Sequence, residues 1–434
     1  MGLREALADR DDRTVLTEPV DPRFELPALA TADEDSPTVF EDVVGYPDVR
    51  AVANLVSTRD LLGDALGVDR AGVIDRMRTA MDDPMAVDPS ADSEFDLVAE
   101  DPDLDDHLPI PTFYDEHERQ YVASGIVIVE DPDSGVQNAS FHRLMYDGGN
   151  EFVARIVERH LYDVYERTDD PLEVAIVVGV HPAVELAAAT SFAPDQSELA
   201  MANALLEGDL AVTDLDGLWV PAEAEVVMRA TITDEYREEG PFVDLSRTWD
   251  RVREQPVVRV SALYAREHPY VRIIVPGRAE HAHLMGVPQE PRIFRIVENT
   301  IPTVRNVVLT QGGGSWLHGV VQIAKRREGD AQNAGMAALA AHPSMKKVTV
   351  VDVDVDPADP VEVEWAHATR MQPDADITTI EGAKGSSLDP SQDYETGTLT
   401  KWLVDATVPA DADPDEFRAV TVPGANDVDL EDYR

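Results

Sequence analysis

The chain has no cysteine, which excludes disulfides, thiolate metal centres and cysteine nucleophiles and leaves oxygen and nitrogen as the only metal donors. Lysine is almost as scarce. Lys325, Lys346, Lys347, Lys384 and Lys401 are the full complement, so arginine supplies nearly all of the 36 basic residues. Set against 85 acidic residues, they leave a net charge of -49. A polyanionic partner needs a basic face, and beyond Lys325-Arg326-Arg327 few basic clusters exist. Nucleic acid and anionic membrane are therefore excluded as partners. Long hydrophobic runs are missing too. Residues 174–180 are too few to cross a bilayer, and Met1-Gly2-Leu3-Arg4-Glu5-Ala6 lacks an apolar signal core, which predicts a cytoplasmic protein.

What is present is acidic yet foldable. Hydrophobic residues make up 43% of the 434, enough for two or three domains, and apolar strand and helix patterns set the chain apart from a disordered acidic protein. So negative a surface suits concentrated salt, where the Debye length shrinks to about 3 Å at 1 M; a salt-accumulating, halophilic cell is expected. Patterning divides the chain into three. Residues 1–110 alternate strands (14–20, 38–44, 52–55) with helices (58–66, 71–81) and end in an acidic, proline-rich linker over 82–111, an α/β domain. Residues 111–300 are strand-rich, with strands predicted over 121–130, 137–146, 210–213, 224–233, 257–264 and 271–275 and helices over 151–165 and 182–189, a mostly antiparallel barrel or sandwich. Residues 301–434 restore strand-helix-strand order, a second α/β unit with an acidic tail after Pro409.

The segment 135–143, Gly-Val-Gln-Asn-Ala-Ser-Phe-His-Arg, follows an apolar run and a turn and reads as the second arm of a hairpin. Asn138 offers a neutral carbonyl oxygen suited to a divalent cation beside phosphate, and Arg143 a planar fork that fits carboxylate or phosphate. Odd-even counting puts the two on opposite faces, so serving one site requires a bulge or a strand end between them. An ordinary hairpin with polar edges is the plain alternative. His160 falls beside the apolar stripe of Phe152, Ile156 and Val164 in the helix predicted over 151–165, where a hydrogen-bonded core histidine is the plain reading. Glu198 follows the candidate caps Asp195 and Ser197 and suits the positive end of a helix. Asn138, His160 and Glu198 could instead form a mixed oxygen and nitrogen set for Mn²⁺ or Mg²⁺.

Glu239 and Asp244 flank Gly240-Pro241. In a dry pocket their repulsion would keep a proton near neutral pH; the alternative is a solvated turn. Three further signals weigh less. Residues 382–387 break the order of a phosphate loop, 311–314 read as a tight turn, and His281-Ala282-His283 would share a strand face but suggest no third ligand.

Taken in order, these pieces resemble the UbiD family of prenylated-flavin-dependent carboxy-lyases over nearly the whole chain. The resemblance is carried by Leu3-Arg4-Glu5, Tyr46-Pro47, Asp131 to Asn138 with Phe141-His142-Arg143, Arg159-His160-Leu161, His181-Pro182-Ala183, Ser197-Glu198-Leu199-Ala200, Val220 to Glu225, Glu239-Gly240-Pro241-Phe242, Asp352 to Asp356, Ser386 to Pro390 and Lys401-Trp402. It implies an amino-terminal α/β domain, a central split β-barrel like that of flavin reductases, and a carboxy-terminal α/β domain used in oligomerisation. It also implies prenylated FMN clamped through its phosphate by a metal on Asn138, His160 and Glu198, with K⁺ as an optional second ion. Phe141 and His142 would line the cofactor, Lys401 would approach its phosphate, and Arg143, Glu239 and Asp244 would form a catalytic charged trio.

The family's pattern is altered at His142, where a tyrosine is usual, at Met228-Arg229-Ala230 in place of Leu-Glu-Gly, at Val243 in place of glycine, and at Asp244, where some relatives have glutamate. The reaction implied is reversible loss of CO₂ from an α,β-unsaturated or aromatic acid. A flavin prenyltransferase would supply the cofactor, and the enzyme would be a dimer or hexamer. Archaeal-like segments 140–143 and 276–281 suggest a second reading, a trans-anhydromevalonate 5-phosphate decarboxylase. A flavin-binding protein without turnover is the reading from another class.

Overall fold

Alternating apolar residues decide the centre of the molecule. In the strand Leu172–Val178, Val174, Ile176 and Val178 enter one apolar cluster while Ala175 and Val177 enter another. In Ile126–Glu130, Val127 and Val129 separate from Ile126 and Ile128 in the same way. A sheet buried on both faces takes continuous apolar runs, which is why 174–180 is so hydrophobic.

The computed structural model describes residues 1–434 apart from 9, 11, 169, 170, 194, 421, 424–427 and 429–434. It separates into two compact units: Met1–Arg292 with Leu309–His318 and Ser386–Gly397, and Ile293–Val308 with Gly319–Gly385 and Thr398–Arg434.

The first unit is built on a nine-stranded antiparallel sheet. Its order is Tyr121–Val122, Leu144–Gly148, Glu151–Ala154, Arg253–Ala265, Val226–Glu239, Leu172–Val178, Ile126–Glu130 and Gln137–Phe141, with Asp96–Glu100 paired to Arg253–Ala265. Among the described residues this path ends open on both sides. The mixed α/β character therefore holds, while no closed barrel is seen. A four-stranded sheet, Thr14–Leu16, Thr38–Phe40, Arg50–Ala53 and Tyr270–Arg272, mixes parallel and antiparallel pairs. The nearby helix Arg59–Ala65 begins where Thr58 Oγ1 accepts from the Leu61 N–H at 3.1 Å.

In the second unit a five-stranded sheet runs Val304–Leu309, His318–Ile323, Lys347–Asp352, Thr398–Ala406 and Ile377–Lys384. Helix Asp330–Ala341 packs closely on it because Gly335 has no Cβ, which would overlap the Leu403 side chain.

Several elements differ from the sequence expectation. The helix expected over 151–165 is a strand, Glu151–Ala154, followed by the helix His160–Arg167. Phe152 and Ile156 have helical spacing, but Phe152 pairs across the sheet with Tyr146 and Val258, and tertiary pairing overrides local periodicity. The stretch expected as a linker contributes the strand Asp96–Glu100. The single strand expected over 137–146 is two, Gln137–Phe141 and Leu144–Gly148. No described helix is long and apolar enough to cross a membrane.

Candidate active site

The break between those two strands falls at His142-Arg143 and supplies the strand end that the parity of Asn138 and Arg143 requires. Gln137–Phe141 pairs with Ile126–Glu130 as a hairpin arm. On one face Asn138, Ser140 and His142 form a polar row: Ser140 Oγ lies 3.1 Å from Asn138 Oδ1 and 3.0 Å from His142 Nε2. His142 Nδ1 donates to the Arg155 carbonyl at 3.0 Å, and burial drops the imidazole pKa to about 4, so the ring is neutral and Nε2 accepts. Phe141, of opposite parity, packs beside an apolar cluster of the sheet.

Arg143 turns to the other side. Its Nε and Nη2 donate to Glu239 Oε1 and Oε2 at 2.9 and 2.8 Å, a bidentate pair. Nη2 also reaches Asp250 Oδ2 at 3.1 Å, and Nη1 reaches Asp244 Oδ2 at 3.2 Å. Burial opposes the guanidinium's charge, but Glu239, Asp244 and Asp250 more than offset it and push its pKa up. The guanidinium stacks 4.5 Å from the Phe242 ring centre. Glu239 is fully buried and takes a third hydrogen bond, from Tyr121 Oη at 3.0 Å. Burial and then Glu239 push the Tyr121 pKa up, so it remains a neutral donor. The solvated-turn reading of Glu239 is thus overturned, because the chain brings Arg143 to it from 96 residues away.

A second constellation lies along the polar row. Gln137–Phe141 is the last strand of the sheet, so the Ala139 N–H is free to donate to Glu198 Oε2 at 2.9 Å, while Asn138 Nδ2 donates to Glu198 Oε1 at 3.0 Å. Glu198 opens the helix Glu198–Leu205 and is 2% exposed. Burial raises its pKa to about 7, against the opposing pull of those donors. It is therefore a buried carboxylate with only neutral partners, and a cation would supply the missing charge. Asn138 and His160 line one cavity of about 430 Å³, with Gln196 on its wall. His160 begins its helix half-buried and is not a core histidine. Among the described residues no three His, Cys, Asp or Glu side chains form a metal group; the amide oxygen of Asn138 would have to complete the set. Oxygen, nitrogen and carboxylate donors fit a hard divalent ion.

The comparisons settle the family. Residues 4–81 match the 3-octaprenyl-4-hydroxybenzoate carboxy-lyase N-terminal domain, 87–279 its Rift-related domain and 282–406 its C-terminal domain. The chain is 40% identical to the anhydromevalonate phosphate decarboxylase of Methanocaldococcus jannaschii, over 94% of this chain and 97% of that one. This chain belongs to the UbiD family. A second UbiD-family relative, the anhydromevalonate phosphate decarboxylase of Methanothermobacter thermautotrophicus, is 42% identical over 86% of this chain and 89% of its own. The UbiD-class enzyme HmfF from Pelotomaculum thermopropionicum, in complex with FMN, is 35% identical and superposes with a TM-score of 0.95, both chains covered in full. An evolved dimeric form of HmfF with prenylated FMN gives 0.90, again at 35% identity and full coverage. The protein is accordingly a UbiD-type carboxy-lyase.

Sequence reasoning missed Asp250 and Tyr121, whose partners come from distant strands, and misread His281. His281 and His283 lie on the helix Ala279–Gly286, not on a strand, so residues two apart point away from each other. His281 Nδ1 accepts from the Gly277 N–H at 3.0 Å and its ring meets the edge of Phe242, whereas His283 Nδ1 lies 3.2 Å from the Val56 carbonyl. Lys401 belongs to the second unit, where it is buried and donates to the Pro343 carbonyl at 2.5 Å.

Proposed function

We propose that this UbiD-family enzyme removes CO₂ from trans-anhydromevalonate 5-phosphate with the aid of prenylated FMN. The observation that carries this substrate is the 40–42% identity to two archaeal enzymes of that activity over most of both chains. Arg143 with its intact ring of carboxylates argues against a flavin-binding protein without turnover.

Prenylated FMN, when bound, supplies the electron sink for the bond that breaks. Asn138, His160 and Glu198 would hold Mn²⁺ or Mg²⁺ against its phosphate, and Phe141 and His142 would line it. The phosphate role of Lys401 and the K⁺ ion rest on the family resemblance alone. The bond from Arg143 Nη1 to Asp244 is the longest of the four, and Asp244, with 18% of its side chain exposed, is the most open of the three partners. An incoming carboxylate takes this arm and releases Asp244. The bond between the carboxylate and its carbon breaks, CO₂ departs and the electron pair stays with that carbon; Asp244, freed from Arg143, takes a proton from solvent and relays it to that carbon. Glu239 holds Arg143 throughout.

Holoenzyme co-expressed with a flavin prenyltransferase should release CO₂ from the phosphorylated acid and not from simple aromatic acids; the reverse preference would remove this substrate. The same reading includes a split-barrel centre, domains at 1–110, 111–300 and 301–434, a dimer or hexamer, and the cytoplasm of a salt-accumulating cell. Scattering in molar salt reads the oligomer, and a melting temperature indifferent to salt would contradict the halophilic part.

A further inference from the structure

The hairpin formed by Phe242–Val243 and Trp249–Asp250 carries two of the three carboxylates on Arg143, Asp250 in its second strand and Asp244 directly after its first. It is short. Each strand has two residues, paired as Phe242 with Asp250 and Val243 with Trp249, and a two-stranded ribbon of that size does not hold its own shape in water. Alternation divides its side chains between two faces. On one face the Phe242 ring stacks on the Arg143 guanidinium and the Asp250 carboxylate bonds to it. Val243 and Trp249 share the other face.

That second face is where the hairpin is held. The Trp249 ring meets the rings of Tyr114 and His117 edge to face, with centroids 5.7 and 4.9 Å apart, and Nε1, its one polar atom, donates to Glu116 Oε2 at 2.9 Å. Tyr114 is tied in turn. Its Oη donates to the Pro276 carbonyl at 2.6 Å, and Gly277 then passes so close to the hairpin that a Cβ there would come within 3.0 Å of Val243 Cγ1 and 3.1 Å of the Asp244 carbonyl oxygen. The space left among Trp249, Tyr114, Pro276 and Val243 is about 10 Å³, room for one water at most. Glu239 needs no such support, because it ends the long strand Val226–Glu239 of the main sheet.

We infer that Trp249 is a positioning residue for the reaction: pinned by Tyr114, Glu116 and His117, it sets the depth at which the hairpin presents Asp244 and Asp250 to Arg143. This rests on the roles proposed for Arg143 and Asp244. Loss of the tryptophan would misplace two partners of the arginine and leave the third in register.

The test has a structural arm and a kinetic one. In crystals of FMN-loaded Trp249→Ala, Asp250 Oδ2 should withdraw from Arg143 Nη2, 3.1 Å away in the native chain, while the Glu239 pair stays. In turnover of the phosphorylated acid by prenylated-FMN holoenzyme, Trp249→Ala should lose about 100-fold in kcat with KM changed less than about 3-fold, the cost of a misplacement of about 1 Å. Trp249→Phe, which keeps the ring contacts without the Nε1 bond, and Glu116→Ala should each lose about 3- to 10-fold in kcat, and Glu116→Gln, which keeps an acceptor oxygen, should recover most of that loss. In an Asp244→Asn background Trp249→Ala should cost less than about 5-fold, because the proton relay it positions is already gone, whereas a merely structural tryptophan would cost the same factor in both backgrounds. An unmoved Asp250 in the Trp249→Ala crystal, unchanged kcat in both Trp249→Phe and Glu116→Ala, or an equal cost in the two backgrounds would each overturn the inference. Should Trp249→Ala fail to load FMN, Trp249→Phe and Glu116→Ala enter the same cycle with Asp244→Asn, and additive losses there would overturn it as well. If wild-type holoenzyme releases no CO₂ from the phosphorylated acid, it is the proposed substrate that fails, while the crystals still decide whether Trp249 holds the hairpin on Arg143.

Discussion

Arg143 and Arg272 both stand among carboxylates in the first unit, but their carboxylates have different freedom. Arg272 is fully buried: Nε donates to Glu185 at 2.8 Å and Nη1 to Glu280 at 2.9 Å. Glu280 also accepts the backbone N–H groups of Asn54 and Val56, at 2.8 and 2.9 Å. Burial pushes the Glu185 carboxyl up, and no member of this cluster has an arm left for a ligand. The cluster ties the helices Pro182–Ala188 and Ala279–Gly286 to the strand Tyr270–Arg272, and the second of these helices carries His281 to the edge of Phe242. Around Arg143, by contrast, Glu239 is locked while Asp244 meets the guanidinium through one long bond, keeps a local one from the Leu245 N–H at 2.8 Å, and reaches solvent. An arginine among carboxylates thus becomes a reactive group only where one partner can leave.

Mutating the two arginines should separate these roles. Arg143→Ala is expected to lower kcat/KM by about 10³-fold or more while FMN binding persists; near-wild-type turnover would contradict its role. Arg272→Ala strands two buried carboxylates and should cost about 3–5 kcal/mol of stability, read as a lowered denaturant midpoint. An Arg272→Ala protein as stable as wild type would erase the contrast. Asp244→Asn, which keeps the shape but cannot deliver a proton, should lower kcat about 10²- to 10³-fold with little change in stability. Full activity in that variant would move the proton donor elsewhere.

The sequence pattern made the hairpin around Asn138 legible because its arms are local, with alternating apolar residues and a polar turn between them. Odd-even counting also located the trouble at Asn138 and Arg143, and the chain resolves it with a strand end. Identifying Asn138, Glu198, Arg143, Glu239 and Asp244 as partners required the family's ordered motifs, because their separations of 60 to 101 residues leave no periodic trace. What stayed hidden was also non-local. Asp250 and Tyr121 have no motif of their own, and the strand Glu151–Ala154 imitates a helix until its sheet partners are known.

Acid should expose the two regions in turn. His181 caps Pro182–Ala188 by accepting the Ala183 N–H at 3.1 Å, and His283 sits on Ala279–Gly286, so both belong to the helices that Arg272 joins. Burial lowers each pKa to about 4 from an ordinary 6.5, helped by the amino terminus near His181 and by Arg59 near His283. Above pH 6.5 the folded and unfolded chains hold the same protons at these rings. Between 6.5 and about 4 the unfolded chain takes up protons that the fold refuses, so stability falls as pH drops, by at most ~3 kcal/mol per histidine. Asp250, held down by Arg253 and Arg143 in spite of its burial, begins to cost stability only as pH falls below the ordinary aspartate value of 3.8. The histidines on the helices that Arg272 joins should therefore begin to cost stability at a higher pH than Asp250 beside Arg143 does. His283→Gln should flatten the decline in urea midpoint between pH 6.5 and 4, and a variant with the wild-type slope would remove His283 from the acid response.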